Sequence, residues 1–112
     1  MIIKRGNIYL AALDPTIGSE INKTRPVIVV SNNLNNEFGN TVTILPLTSN
    51  TEKIYPFEVF IKRDIANLPK DSKVKADQIR TIDKMRIIKE IGELPKEIIS
   101  EIEVAIKTHL SF

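Results

Sequence analysis

The chain has 112 residues, with no cysteine and one histidine. Disulfide frameworks, thiolate metal sites, cysteine nucleophiles and enzymes that need a histidine pair are thereby excluded. A net charge of +2 with 42% hydrophobic and 27% charged residues describes one ordinary globular domain over residues 1–112, and is too small to imply nucleic acid by itself.

The longest purely aliphatic run is Val27–Val30, far below the ~20 residues of a membrane span. Met1–Gly6 is charged and lacks the apolar stretch and cleavage site of a signal peptide, so a cytoplasmic location without a membrane partner is the expectation. The charge is unevenly spread. Residues 93–112 set Glu93, Glu97, Glu101 and Glu103 against Lys96 and Lys107, a balance of −2 that leaves +4 on residues 1–92. A basic body can hold an anionic ligand, and a solvated surface of mixed charge fits the same numbers.

Asn7–Leu13 is apolar at both alternating sets of positions and ends at the turn signal Asp14-Pro15, which predicts a buried strand. Thr16–Thr24 is polar, with Gly18 inside it, and predicts a loop. Arg25–Ser31 is the clearest strand, with Pro26 at its start where no ladder N–H is needed. Asn32–Asn36 reads as a turn. Gly39-Asn40 reads as a hairpin-type turn into a strand over Thr41–Leu47.

A polar loop, Thr48–Tyr55, precedes a strand at Pro56–Lys62 whose Phe57, Val59 and Ile61 oppose Glu58 and Lys62. Leu68–Asp71 break the chain before Ser72–Ile82, a single predicted strand. Asp83 can cap a short helical turn, and Ile87–Ile91 reads as a last strand stopped by Gly92. Pro95 fits the first position of a helix in which Ile98, Ile99, Ile102, Ala105, Ile106 and Leu110 share a face. Glu103 and Lys107 add an i, i+4 pair. Five to seven short strands and one helix covering an open face predict a β-rich α+β domain of small-barrel type.

Three patches exceed what a generic barrel requires. Gly18-Ser19-Glu20 followed by Thr24-Arg25-Pro26 places a restrained arginine beside a loop. Arginine's planar fork suits phosphate oxygens, while an ion pair with Glu20 accounts for it equally. Leu47-Thr48-Ser49 brings hydroxyls to the end of an apolar strand, where either function or turn capping places them. Asp77–Asp83 presents Gln78 and Arg80 on its polar face, groups that read bases and backbones or simply face water. His109 has no assigned role. No phosphate-loop motif or metal-ligand spacing is present, so neither metal nor cofactor is expected.

In order along the chain, RGNIYLAALDPTIGSE, TRPVIVVSNN, TVTILPLTS and DQIRTIDKMRI resemble the MazF/PemK/Kid family of toxin endoribonucleases. The resemblance implies a homodimeric, partly open SH3-like barrel that cuts single-stranded RNA, chiefly mRNA, at short motifs without a metal. It also implies a cognate antitoxin whose acidic, disordered segment holds the toxin inactive. The family's catalytic arginine and threonine fall on Arg25 and Thr48, and substrate contacts on Ser19, Glu20, Asn32, Ser49 and Gln78. Asp77 stands where many relatives have Glu, Lys75-Ala76 interrupts a usually apolar stretch, and the Ser49–Tyr55 loop is this chain's own. Gyrase-poisoning toxins share the fold without ribonuclease activity and form the alternative reading; a plain barrel-type interaction module is a further one.

Overall fold

The stretches that read as apolar throughout are the strands buried on both faces. A computed structural model describes residues 1–112, and in it β1 (Asn7–Ala12), β2 (Thr24–Val29) and β3 (Thr41–Thr48) lie side by side, antiparallel. Their alternate residues divide between two clusters. Ile8, Ile28, Leu45 and Leu47 enter the first, with Val59, Ile61, Val74, Ile102 and Ala105. Tyr9, Ala11, Val27, Val29, Val42 and Ile44 enter the second, with Leu13, Ile82 and Ile87.

β3 organises the remaining strands. Its first half, Thr41–Ile44, pairs with β6 (Arg80–Asp83), and its end, Leu47 and Thr48, pairs with β5 (Ser72–Lys75). β4 (Glu58–Ile61) pairs with β5, and β7 (Ile87–Glu93) pairs with β1 on the far side. β6 and β7 therefore occupy opposite edges of a β6–β3–β2–β1–β7 sheet, yet only the 3₁₀ turn Lys84–Arg86 lies between them. Laid flat, those edges would stand about 19 Å apart at ~4.8 Å per strand, while the link reaches about 14 Å at most. The sheet must curl, and it encloses the second cluster. No ladder joins β6 to β7, so the barrel stays partly open.

Helix α2 (Lys96–Leu110) closes the first cluster with Ile102 and Ala105, flanked by Ile98, Ile99 and Ile106. Leu110, expected on that face, is exposed, and Pro95 takes the capping position in place of the first helical one. No helix is long and apolar enough to cross a membrane.

Several expectations are corrected. Asn32–Asn36 is not a turn: it opens a helix, α1 (Asn33–Phe38), because the Asn32 side chain accepts from Asn35 N at 2.8 Å, and asparagines that favour turns also cap helices. Gly39 closes that helix and makes no hairpin. Ser72–Ile82 is two strands, because Leu47 pairs with Val74 and Ile44 with Arg80, which leaves three more residues on the second chain than on β3. The 3₁₀ turn Ala76–Gln78 takes up that excess. Glu103 pairs with Arg5 at 2.9 Å, not with Lys107.

Two glycines answer to packing. Gly6 sits at φ +91°, and a Cβ there would meet Ile99 Cδ1 at 2.6 Å. Gly92 lies within β7 and does not stop it. A Cβ at Gly92 would stand 2.6 Å from the carbonyl oxygen of Ala66. That obstacle is backbone and cannot swing away, so Gly92→Ala should cost about 2 kcal/mol. The loss corresponds to roughly 10 °C in thermal midpoint; an unchanged midpoint would show that the Ala66 segment is free to move.

Candidate functional site

The β2–β3 ladder pairs Val27 with Pro46, Ile28 with Leu45 and Val29 with Ile44. Continued by two residues, that register sets Arg25 opposite Thr48, where β2 begins and β3 ends. Alternation puts both on the second-cluster face, since Arg25 follows Val27 and Val29, and Thr48 follows Val42 and Ile44. Arg25 is half-buried, and its Nε donates to the carbonyl of Asn22 at 3.1 Å. Its Nη groups have no partner in the chain: Glu20 turns instead to the backbone N–H of Ile17, accepting at 2.6 Å. Thr48 Oγ1 accepts from Asn50 N at 3.3 Å, which leaves its hydroxyl hydrogen free to donate.

The loop carrying Ser19 and Glu20 is held over this end of the sheet by Gln78. The Gln78 Oε1 accepts from Ile21 N at 2.7 Å, and its Nε2 donates to the Ser19 carbonyl at 3.2 Å. Gln78 lies in the turn between β5 and β6, on one edge of β3, while the loop springs from β1 and β2 on the other. The loop therefore crosses β3, with Ile21 packed on the second cluster beneath it. Arg80 and Arg86 secure its base by donating to the carbonyls of Leu13 (3.4 Å) and Ala12 (3.1 Å). Ser19, Glu20 and Ser49 are exposed.

Asn32 is not brought there. It caps α1 beyond the opposite end of β2, about 20 Å of extended chain from Arg25. It lines a groove of about 660 Å³ with Arg5, Asn35, Thr43, Ile79 and Glu103. His109 rests on Phe57 with ring centroids 6.4 Å apart. No group of three His, Cys, Asp or Glu side chains is placed to hold a metal ion.

The sequence reading gave Glu58 no role, setting it only on the face opposite Phe57, Val59 and Ile61. Its side chain is fully buried and meets two lysines, Lys73 Nζ at 3.0 Å and Lys75 Nζ at 2.7 Å. Glu58 Oε1 also accepts from Tyr55 N at 2.9 Å, and Lys73 Nζ donates to the Lys53 carbonyl at 2.7 Å. Since Lys73 is the ladder partner of Thr48, this network ties down the loop that follows Thr48. The available signal was Glu58 with Lys73 and Lys75 at positions two apart, but one strand's pattern does not reveal which lysine lies across from which acid. Burial opposes ionisation of Glu58, yet the hydrogen bonds from Lys75, Tyr55 N and Lys73 outweigh it and hold the carboxyl below its ordinary value. Burial also opposes the charge on Lys75, and the bond to Glu58, with Asp77 nearby, raises it above its ordinary value.

A strand-rich barrel with an unpaired arginine and a threonine at one loop-covered end now has its counterpart among known proteins. The family described as PemK-like, MazF-like toxin of type II toxin-antitoxin system matches residues 4–110. Endoribonuclease MazF9 of Mycobacterium tuberculosis is 37% identical, covering 97% of this chain and 97% of that protein. Among solved structures, MazF from Deinococcus radiodurans superposes with a TM-score of 0.87 at 26% identity, covering 100% of this chain and 99% of that one. An endoribonuclease in complex with its cognate antitoxin from a mycobacterial species gives 0.80 at 27%, covering 97% and 95%. The chain belongs to the PemK/MazF-like toxin family, and its partly open barrel with a C-terminal helix is that family's fold.

The ion-pair network makes a stability prediction with a definite sign. Glu58→Gln should cost about 3 kcal/mol at pH 7, because two lysines lose their buried counter-charge. The carboxyl titrates lower folded than unfolded, so its contribution is complete above the ordinary value of 4.5 and disappears as pH falls through the lower folded value. Denaturant midpoints of wild type and Glu58→Gln should therefore converge in acid; a gap of constant size from pH 7 to pH 3 would show that the charge is not what stabilises.

Proposed function

We propose that residues 1–112 form a single toxin domain that cleaves single-stranded RNA at short sequence motifs by attack of a ribose 2′-hydroxyl on the adjacent phosphorus. The products are a 2′,3′-cyclic phosphate and a 5′-hydroxyl. The observation that carries the reading is the free Nη fork of Arg25, on a strand whose register with β3, continued two residues past Val27–Pro46, brings Arg25 level with Thr48. Arg25 binds the non-bridging phosphate oxygens and stabilises the charge that grows on them, a contribution of ~3–4 kcal/mol by analogy with oxyanion donors. Thr48 donates to the same phosphate or orients the attacking hydroxyl. These groups are on the chain, and the reaction needs no metal ligand from it.

Ser19, Glu20 and Ser49 contact the substrate around this pair, and Gln78 acts by fixing the loop that carries Ser19. Asn32 contacts RNA as well, and in a homodimer the second copy can present it to the site that a single chain leaves it far from. Single strands suit such a surface, because a duplex hides its base edges in a deep, narrow groove. Contact with phosphates makes binding weaken as salt rises. A cognate antitoxin inhibits by laying an acidic, disordered segment along the same basic surface and folding there. The antitoxin-bound mycobacterial endoribonuclease supports that partner. The RNA substrate places the protein in the cytoplasm. Two of the relatives named above are endoribonucleases, which gives the gyrase-poisoning alternative no support.

A long single-stranded RNA incubated with wild type in EDTA, beside Arg25→Ala, tests this. Cuts at one motif with 5′-hydroxyl ends are expected, unaffected by chelator, and slowed about 10²–10³-fold in Arg25→Ala. Thr48→Val should slow cleavage while leaving RNA binding intact. Ends carrying 5′-phosphate, or an Arg25→Ala protein that cuts as fast as wild type, would overturn the mechanism.

A further inference from the structure

Directly beside Thr48 is a second feature that the proposed chemistry does not use. A cavity of about 510 Å³ is lined by Asn50, Glu52, Lys53, Tyr55 and Lys73, within the range of small-ligand sites. It touches Thr48 at two points: Asn50 N bonds Thr48 Oγ1, and Lys73 is the ladder partner of Thr48. Tyr55 is 43% exposed.

The ring is also held still. Phe57 stacks on it with centroids 5.4 Å apart and planes 3° from parallel. Its backbone N–H is fixed by buried Glu58, and the carbonyl of Lys53 by Lys73 Nζ. The ammonium groups of Lys53 and Lys73 lie over the ring, 5.5 and 5.9 Å from its centroid; a base stacks there by displacing the exposed Lys53 head, and Lys73, held by Glu58, keeps a positive charge beside it. At the rim, Asn50 and Glu52 offer an amide and a carboxylate, the groups that pair with base edges. A carboxylate at the rim disfavours a phosphate there and favours a base.

We infer that this cavity is a specificity subsite: it takes the nucleobase next to the scissile phosphate, stacked on Tyr55 and read at its edge by Asn50 and Glu52. The inference rests on the ribonuclease reading and adds to it the residues that choose one position of the cleavage motif. The anchoring network gives the platform its rigidity, so the base pays for little ordering of the loop when it docks.

Mapping of cut sites by sequencing on one long single-stranded RNA, with wild type, Tyr55→Ala and Tyr55→Phe at equal turnover, tests it. Tyr55→Ala removes the platform that holds the base against Asn50 and Glu52, so discrimination at one position flanking the cut should fall about tenfold or more, the size of one lost base-edge contact. The other motif positions should keep theirs, and Tyr55→Phe should retain the wild-type profile. Tyr55→Ala with unchanged discrimination, or with an equal loss at every position, overturns the subsite while leaving the ribonuclease reading intact. A folded wild type that leaves all RNA uncut overturns the ribonuclease reading itself, and the subsite with it.

Discussion

β3 has eight residues but three partners, and most of the molecule follows from how it divides its edges among them. One edge belongs to β2; the other is shared, with β6 along the first half and β5 at the end. Sharing an edge forces a change of register, and the three-residue turn that absorbs it puts Gln78 where it can reach the loop crossing from the other side. Assigning β6 to β3 and β7 to β1 forces curvature too, because the link between them is short. Barrel closure, the end at which Thr48 emerges and the height of the loop above it are thus consequences of one strand's pairing.

The chemistry available at that end is set by what the chain lacks. Its single histidine packs on Phe57, and the carboxylate of Glu20 is engaged by a backbone N–H. What remains is a guanidinium whose Nη groups face no acid, a hydroxyl with a free hydrogen, and a β2–β3 register that, continued past Val27–Pro46, brings them level. An arginine stays charged throughout the physiological range, so in the proposed mechanism its contribution is electrostatic and present before substrate arrives. Preorganised charge of that kind would act on the phosphorane of that mechanism more than on the ground-state diester, which is where binding energy accelerates a reaction.

Strands with both faces buried announce themselves, and β1, β2 and β3 were legible because Asn7–Leu13, Arg25–Ser31 and Thr41–Leu47 carry apolar residues at both alternating sets of positions. Asp83 was read as a cap and accepts from Met85 N at 2.8 Å as one. What could not be read was non-local. Asn32 has the same turn-forming chemistry whether it closes a hairpin or caps α1, and only the position of β3 decides. The division of Ser72–Ile82 depends on a partner strand some thirty residues earlier. The Arg5–Tyr9 motif that marks the family is structural in its details. Gly6 makes room for Ile99, Arg5 Nε donates to the Val30 carbonyl at 3.0 Å, and Tyr9 Oη accepts from Lys4 N at 2.8 Å. The resemblance to a toxin family pointed to Arg25 and Thr48, and the strand register is the independent physical reason to pair them.

The two loops beside that pair are held by clamps of different character. Loops have no core to pack against, and their backbone groups must be satisfied by side chains or water. The first loop is clamped by a neutral amide, Gln78, whose bonds do not change with pH or salt. The second is clamped by Glu58 between Lys73 and Lys75, a network whose charges are desolvated and therefore strong but conditional. Glu58 keeps its charge down to acid below its ordinary value, and Lys75 keeps its own up to alkali above its ordinary value of 10.5. Each partner widens the other's window, so the clamp holds throughout the range in which RNA itself is stable, and the loop bearing Tyr55 keeps one geometry there. A neutral clamp could have fixed that loop equally well. A charged one also places the Lys73 ammonium within 6 Å of an exposed ring, alongside that of Lys53, which would suit the polyanionic substrate proposed for this surface.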